Sequence, residues 1–194
     1  MHIFLSEEIW DFNLDAALGE ISAQRREQAL RFKHELGQRL CVLAYQLLKQ
    51  GLSEVYGIKE NPIFIYNEHG KPSIEGHPEI CFNLSHCKEA AICAVSDRPI
   101  GVDVESVRSF NDSLVHYTMN DAEIREIEAA EDRAVAFIRL WTQKEAALKL
   151  TGTGISKDMK QVLLQEGLHF ETITHSQRRY VYSICQFVSK EEKK

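Results

Sequence analysis

Hydrophobic spacing along the chain switches between a helical period and a strand period. HIFL (2–5) reads as a short opening strand. Ser22 is placed to cap a helix over 23–34, with Ile21 as the apolar staple before it. That helix is basic, carrying Arg25, Arg26, Arg31 and Lys33. A second helix is predicted over 38–50, where Leu40, Leu43, Ala44, Leu47 and Leu48 form a continuous apolar face. The period then drops to two. IFIY (63–66), CFNL (81–84), AAICAV (90–95) and IGVDVE (100–105) read as a meander of short strands. NEHGKP (67–72) and Asp97-Arg98-Pro99 supply turns between them.

Residues 106–120 show no period. Asn120 or Thr118 caps a helix through DAEIREIEAA, and a longer helix is predicted over 133–150, with Gly152 and Gly154 as breakers. QVLLQ, HFETIT and RYVYSICQF read as three closing strands. No low-complexity linker interrupts the chain. Each half nevertheless holds helices plus about three strands, so a boundary near 97–99 is expected, dividing 1–98 from 99–194.

Composition narrows the class. With 194 residues, 44% hydrophobic and 27% charged, the chain can bury a sizeable core. Its net charge of −6 disfavours nonspecific nucleic-acid binding. The five cysteines form no CxxC pair and read as buried small hydrophobes in a reducing compartment. The eight histidines show no zinc-ligand spacing. No long apolar window and no basic leader are present, so a cytoplasmic protein off the membrane is expected.

Four stretches carry candidate chemistry. In IGVDVE, Asp103 and Glu105 lie two apart, so they leave one face of a strand about 7 Å apart along the backbone. Their repulsion is roughly 2 kcal/mol at an effective dielectric of about 20, and a hard divalent cation would reverse it. A solvated strand face is the alternative. In FIRLWTQKEAALKL (137–150), Glu145 and Lys149 share a helix face with Lys144 beside them, as a surface ion pair also would. Trp141 reads as core. In FNLSHCKEA (82–90), Ser85 and His86 close a strand, suited to phosphate oxygen or to capping a turn. GKP (70–72) is a turn projecting one cation, Lys71.

Their order, GKP, FNLSH, IGVDVE, WTQKEAALK, resembles the 4′-phosphopantetheinyl transferases, specifically the larger monomeric type typified by surfactin synthetase-activating enzymes. ISAQRREQALRF extends the match back to residue 21. The resemblance implies an α+β fold of two similar helix-plus-antiparallel-sheet halves related by a pseudo-twofold axis, with the active site in the cleft between them. It implies transfer of the 4′-phosphopantetheine arm of coenzyme A to a serine of an apo-acyl, polyketide or peptidyl carrier protein, releasing adenosine 3′,5′-bisphosphate. Asp103, Glu105 and Glu145 match the magnesium-binding acids, with manganese equally suited. Glu145 is the candidate general base, and Lys149 steadies the pyrophosphate. Ser85, His86, Lys71, Arg39 and Arg25 match contacts to the rest of coenzyme A. The 1–98 half would hold the nucleotide side, and the 99–194 half the acids and catalytic helix. HELGQR lacks the acidic residue usual before the nucleotide-binding arginine, and Gln28 stands where a second basic residue is common. The chain is also short for this type, so a trimmed loop or terminal extension is expected. A monomer suffices. The alternatives are a noncatalytic module binding coenzyme A or a carrier protein, and a magnesium-dependent phosphohydrolase.

Overall fold

The computed structural model describes residues 1–152, 158–177 and 179–188. The chain splits into two units, Met1–Arg98 and Pro99–Lys194.

In the first unit the elements are β1 (His2–Ser6), α1 (Leu14–Glu20), α2 (Ala23–Leu30), α3 (Glu35–Tyr56), β2 (Phe64–Tyr66), β3 (Pro72–Ile74), β4 (Cys81–His86) and β5 (Ala91–Ser96). Ser22 caps α2 through Arg25 N, as its sequence predicts. The helix stops at Leu30 rather than 34, because Phe32 turns back onto Gly37 at the start of the next helix. α3 outruns its predicted span at both ends. Its apolar face continues through Gly51 and Leu52, where the ring of Phe4 lies too close for any side chain at Gly51. The 22-residue α3 packs on β1, β4 and β5, with Leu40, Leu48, Cys93 and Val95 in the core.

The strands run β1-β5-β4, all antiparallel, with β2-β3 as a separate hairpin. β3 begins at Pro72, the last residue of the predicted turn, and continues through residues for which no strand was expected. Pro72 is tolerated there because a two-stranded ribbon makes few demands on its missing N–H. The predicted meander is corrected at its far end, since the IGVDVE strand pairs with the last strand of the chain instead.

The second unit contains β6 (Gly101–Ser106), α4 (Asp112–Thr118), α5 (Asp121–Ala129), α6 (Arg133–Thr151), a 3-10 helix (Met159–Leu164), β7 (Leu168–His175) and β8 (Tyr180–Phe187). Its sheet runs β6-β8-β7, antiparallel, and α6 lies against all three strands. Both units therefore share one connectivity: the opening strand pairs with the final strand, which pairs with the one before it, under one long helix.

Two expectations fail in this unit. Residues 112–118 are helical, capped by Asn111. QVLLQ is not a strand: Met159 and Val162 are buried three residues apart, the 3-10 repeat rather than the strand repeat. Gly152 ends α6 in a left-handed conformation (φ 66°), while Gly154 lies outside the described residues. Asn120 caps α5 with a full capping box: Glu123 Oε2 accepts from Asn120 N at 2.8 Å. The other oxygen of Glu123 accepts from Lys144 Nζ at 2.8 Å, and Lys144 also donates to the Met159 carbonyl at 2.7 Å. Lys144 is wholly buried, and burial holds its ammonium below the usual lysine range against the pull of Glu123. It ties α5 and the 3-10 helix to α6.

The contact that sets α6 on the sheet is at Gly101. A β-carbon there would fall on the backbone carbonyl of Ala146 and 2.6 Å from Leu150 N. Gly101→Ala is expected to lower stability in chemical denaturation by about 1–3 kcal/mol or more, since only backbone can give way. Gly19→Ala, on an exposed helical face with nothing nearby, should be neutral or stabilising by up to about 1 kcal/mol. Lys144→Met should cost about 3–5 kcal/mol by stranding a buried Glu123, and adding Glu123→Gln should recover part of it in the same measurement.

Candidate active site

Residues two apart on a strand advance about 6.6 Å, and residues four apart on a helix about 6 Å. β6 and α6 use this near match. Gly101 faces Ala146 and Leu150, Asp103 receives Lys149, and Glu105 receives Trp141. Trp141, Glu145 and Lys149 follow at spacing four, so they form one stripe above the Gly101, Asp103, Glu105 face. The helix runs opposite to the strand.

The sheet side of the stripe is fixed by register. Asp103 pairs with Ser183, and Ser183 with Thr172. Cross-strand partners point to one face, and Ser183 Oγ meets Thr142 of α6 at 2.8 Å and Thr172 Oγ1 at 2.9 Å. Gln143 reaches Thr172 at 3.0 Å. These hydroxyls seat α6 so that Glu145 and Lys149 come over β6.

Asp103 lies at the centre, only 3% exposed. Lys149 Nζ donates to Asp103 Oδ1 at 2.6 Å. Burial pushes the Glu105 carboxyl above the ordinary carboxylate range, and the Asp103 charge adds to this; Arg108, Lys149 and the Trp141 indole oppose it. Glu145 is raised for the same two reasons, against Lys149. Thus both glutamates feel Asp103, and Lys149 is the cation shared by all three acids. The donors are all carboxylate oxygens, the chemistry that hard divalent ions take. Among the described residues, no three acids, imidazoles or thiols stand in metal-holding geometry.

Trp141, read as core from the sequence, packs as core. Its ring packs 6.0 Å from Phe137 and borders two apolar clusters of this unit, as a core aromatic does. Its indole also lies near enough to Glu105 to oppose the rise of that carboxyl. Its spacing of four from Glu145 also puts it on the Glu145 and Lys149 stripe. Lys144, the neighbour of Glu145 in sequence, is turned away from the stripe into the interior.

In the first unit the remaining candidates separate. Ser85 and His86 end β4, with Ser85 buried and the His86 ring edge-on to Phe32 at 6.4 Å. Lys71 is close enough to Cys81, at the opposite end of β4, for the two to influence each other; burial lowers the lysine below its usual range. Arg25 is buried, and its guanidinium donates to the Cys41 carbonyl at 3.2 and 2.9 Å and to Gln28 at 2.9 Å. Arg39 bonds Glu35 at 2.8 Å and the Phe12 carbonyl at 2.8 Å, beneath the rings of Trp10 and Phe12. Both arginines brace backbone within their own unit. The buried cysteines behave as hydrophobes, with Cys185 pushed up to about 12 by burial. Among the described residues, no helix is long and apolar enough to cross a membrane.

Comparison with known proteins agrees with the motif order. A family model of the 4′-phosphopantetheinyl transferase superfamily matches residues 99–191, the span that holds the carboxylate stripe. The 4′-phosphopantetheinyl transferase HetI of Nostoc sp. (strain PCC 7120) is 31% identical over 171 residues, covering 79% of this chain and 72% of the relative. The 4′-phosphopantetheinyl transferase psf-1 of Bacillus pumilus is 32% identical over 139 residues, 70% of this chain and 60% of the relative. The 4′-phosphopantetheinyl transferase Sfp of Bacillus subtilis (strain 168) is 30% identical over 139 residues, 70% and 62%. The chain spans 60–62% of the length of these two Bacillus relatives. With the HetI match and the α+β units that carry the motifs, the chain belongs to the 4′-phosphopantetheinyl transferase superfamily.

Proposed function

We propose that this protein transfers the 4′-phosphopantetheine group of coenzyme A to a serine hydroxyl of an apo-carrier protein in the cytoplasm. The observation that carries the reading is the stripe itself: three carboxylates and one lysine brought together from a strand and a helix 42 residues apart along the chain (103 to 145).

Asp103, Glu105 and Glu145 supply only hard oxygens, the donor set of magnesium or manganese, and would have to draw closer together to hold such an ion. Such an ion, when bound, neutralises charge on phosphate oxygens. The residues of the chain do the rest. Glu145 takes the serine proton, directly or through one water. The serine oxygen bonds to the phosphorus bearing the pantetheine arm. The bond from that phosphorus to the bridging oxygen breaks, and adenosine 3′,5′-bisphosphate departs with the bridging oxygen. Lys149, 29% exposed at its side chain, offers its ammonium to the charge gathering on that departing phosphate. Ser85, His86 and Lys71 are assigned to coenzyme A contacts. Arg25 and Arg39 are assigned to bracing, because their guanidinium donors hold protein carbonyls and side chains.

Incubation of apo-acyl, polyketide and peptidyl carrier proteins with coenzyme A and Mg2+ should add one phosphopantetheine to at least one of them by mass spectrometry. No gain on any carrier would favour a binding module, and coenzyme A consumed without a carrier would favour a phosphohydrolase. Glu145→Gln should reduce transfer by a factor of about 100 or more with a melting temperature no lower than that of wild type.

The raised glutamates also set a pH dependence. A carboxyl raised in the folded protein binds its proton more tightly there than in the unfolded chain. Its stabilising contribution is complete below the ordinary value of 4.5 and is lost as pH rises through the raised folded value. In chelator, the denaturation midpoint of Glu105→Gln/Glu145→Gln should therefore gain on wild type as pH climbs from about 4.5 toward 7. A difference that stays flat over that range would refute the raised values.

A further inference from the structure

We propose that Phe32 is a positioning residue for coenzyme A binding, its ring bracing the His86 imidazole in one orientation at the end of β4. This deepens the proposed function and rests on its assignment of His86 to a coenzyme A contact.

Three observations carry it. First, the two rings meet edge to face, with centroids 6.4 Å apart and planes at 70°. Aromatic pairs prefer that arrangement. Second, Phe32 is held from behind by the start of α3. Its N–H donates to the Ala29 carbonyl at 3.1 Å, and its own carbonyl accepts from Gln38 Nε2 at 3.0 Å. Its ring fills the space in front of Gly37: a β-carbon there would stand 2.7 Å from Phe32 Cδ1 and 2.9 Å from Cγ. Third, Gly37 is present for space. It is the third residue of α3 and its φ is not positive, so backbone freedom is not what it supplies. Glycine weakens a helix relative to alanine. What the chain gains in return is room for the Phe32 ring. Core burial does not account for the placement either, since Phe32 stays 39% exposed.

The need for a brace follows from where His86 lies. It is the last residue of β4, half-buried, and the chain turns back directly after it, with Cys87 N donating to the Ala90 carbonyl at 2.9 Å. The torsion that swings an imidazole has a broad well. A ring wall narrows that well. Phe32 has no hydrogen-bonding side-chain atom, so it takes neither ring nitrogen away from a polar partner. Because α3 packs on β4, the brace and the braced ring belong to one packed unit.

Coenzyme A affinity should be measured by calorimetry on purified wild type, Phe32→Leu, Phe32→Tyr and Gly37→Ala, with melting temperatures recorded. In parallel, imidazole signals are followed by NMR in histidine-labelled protein, with the His86 signal assigned through His86→Asn. The wild-type His86 signal should move on coenzyme A titration. Phe32→Leu should displace that signal in the free protein and bind about two- to tenfold more weakly, whereas Phe32→Tyr, which keeps the ring, should stay within about twofold of wild type. Gly37→Ala introduces a methyl whose nearest neighbours are atoms of Phe32. It should displace the His86 signal and weaken binding in the same direction, and it decides the matter if Phe32→Leu fails to fold.

A His86 signal that ignores saturating coenzyme A overturns the assignment of His86 and the inference together. A signal that responds, with Phe32→Leu and Gly37→Ala binding as tightly as wild type, overturns the inference alone. Weaker binding in those variants with an undisplaced His86 signal also overturns it, because the loss then does not pass through the imidazole.

Discussion

Everything in the carboxylate-bearing unit follows from one close approach, that of α6 to β6 at Gly101. Where a strand carries a side chain toward a helix, the two backbones are kept apart by the width of that side chain. Here the hydrogen of Gly101 faces the Ala146 carbonyl and the Leu150 amide, so the helix backbone comes down onto the strand. One rung further, that closeness lets Lys149 bond Asp103 at 2.6 Å, and the next rung places Trp141 on Glu105. The hydroxyls of Thr142, Ser183 and Thr172 lock the same interface from the sheet side. A wider spacing would leave the acids of β6 and the acid of α6 as two separate surface features.

The cost of that arrangement is electrostatic. Three acids gathered on a partly buried face repel one another, and the two glutamates are pushed toward their protonated forms. One lysine offsets part of this. A fold selected only for stability has little reason to keep such a cluster, which is why perturbed acids around one centre point to chemistry. The buried pair Lys144–Glu123 is the contrast within the same helix. Its two charges are matched one to one, its hydrogen bonds are satisfied by Met159 and Asn120, and its effect is to hold elements together.

The two units solve the same folding problem with one plan. In each, the first strand leaves the sheet, the chain passes through helices ending in a long one, and a hairpin returns to pair beside that first strand. In each unit one pairing joins the first strand to the last. The long helices differ in what they present. α3 gives its sheet an almost wholly apolar face, while α6 gives its sheet Thr142, Glu145 and Lys149 among the apolar residues.

By itself, the sequence determined the elements with strong local signals and the identity of the acids. Ser22 and Asn120 cap helices because their side-chain oxygens answer backbone N–H groups a few residues ahead, and alternation in IGVDVE makes Asp103 and Glu105 neighbours on any sheet. These effects act within one turn or one strand, so they can be read in isolation. The motif order further proposed Glu145 and Lys149 beside them, and Lys149 bonds Asp103. The tertiary structure alone decided what depends on distant atoms. It made QVLLQ a 3-10 turn under α6, paired β6 with β8 instead of β5, sent Lys144 inward to Glu123, and committed Arg25 and Arg39 to carbonyls. In each case the deciding contact lies outside the local window, where packing and hydrogen-bond satisfaction outweigh the fraction of a kilocalorie by which local propensity prefers one conformation.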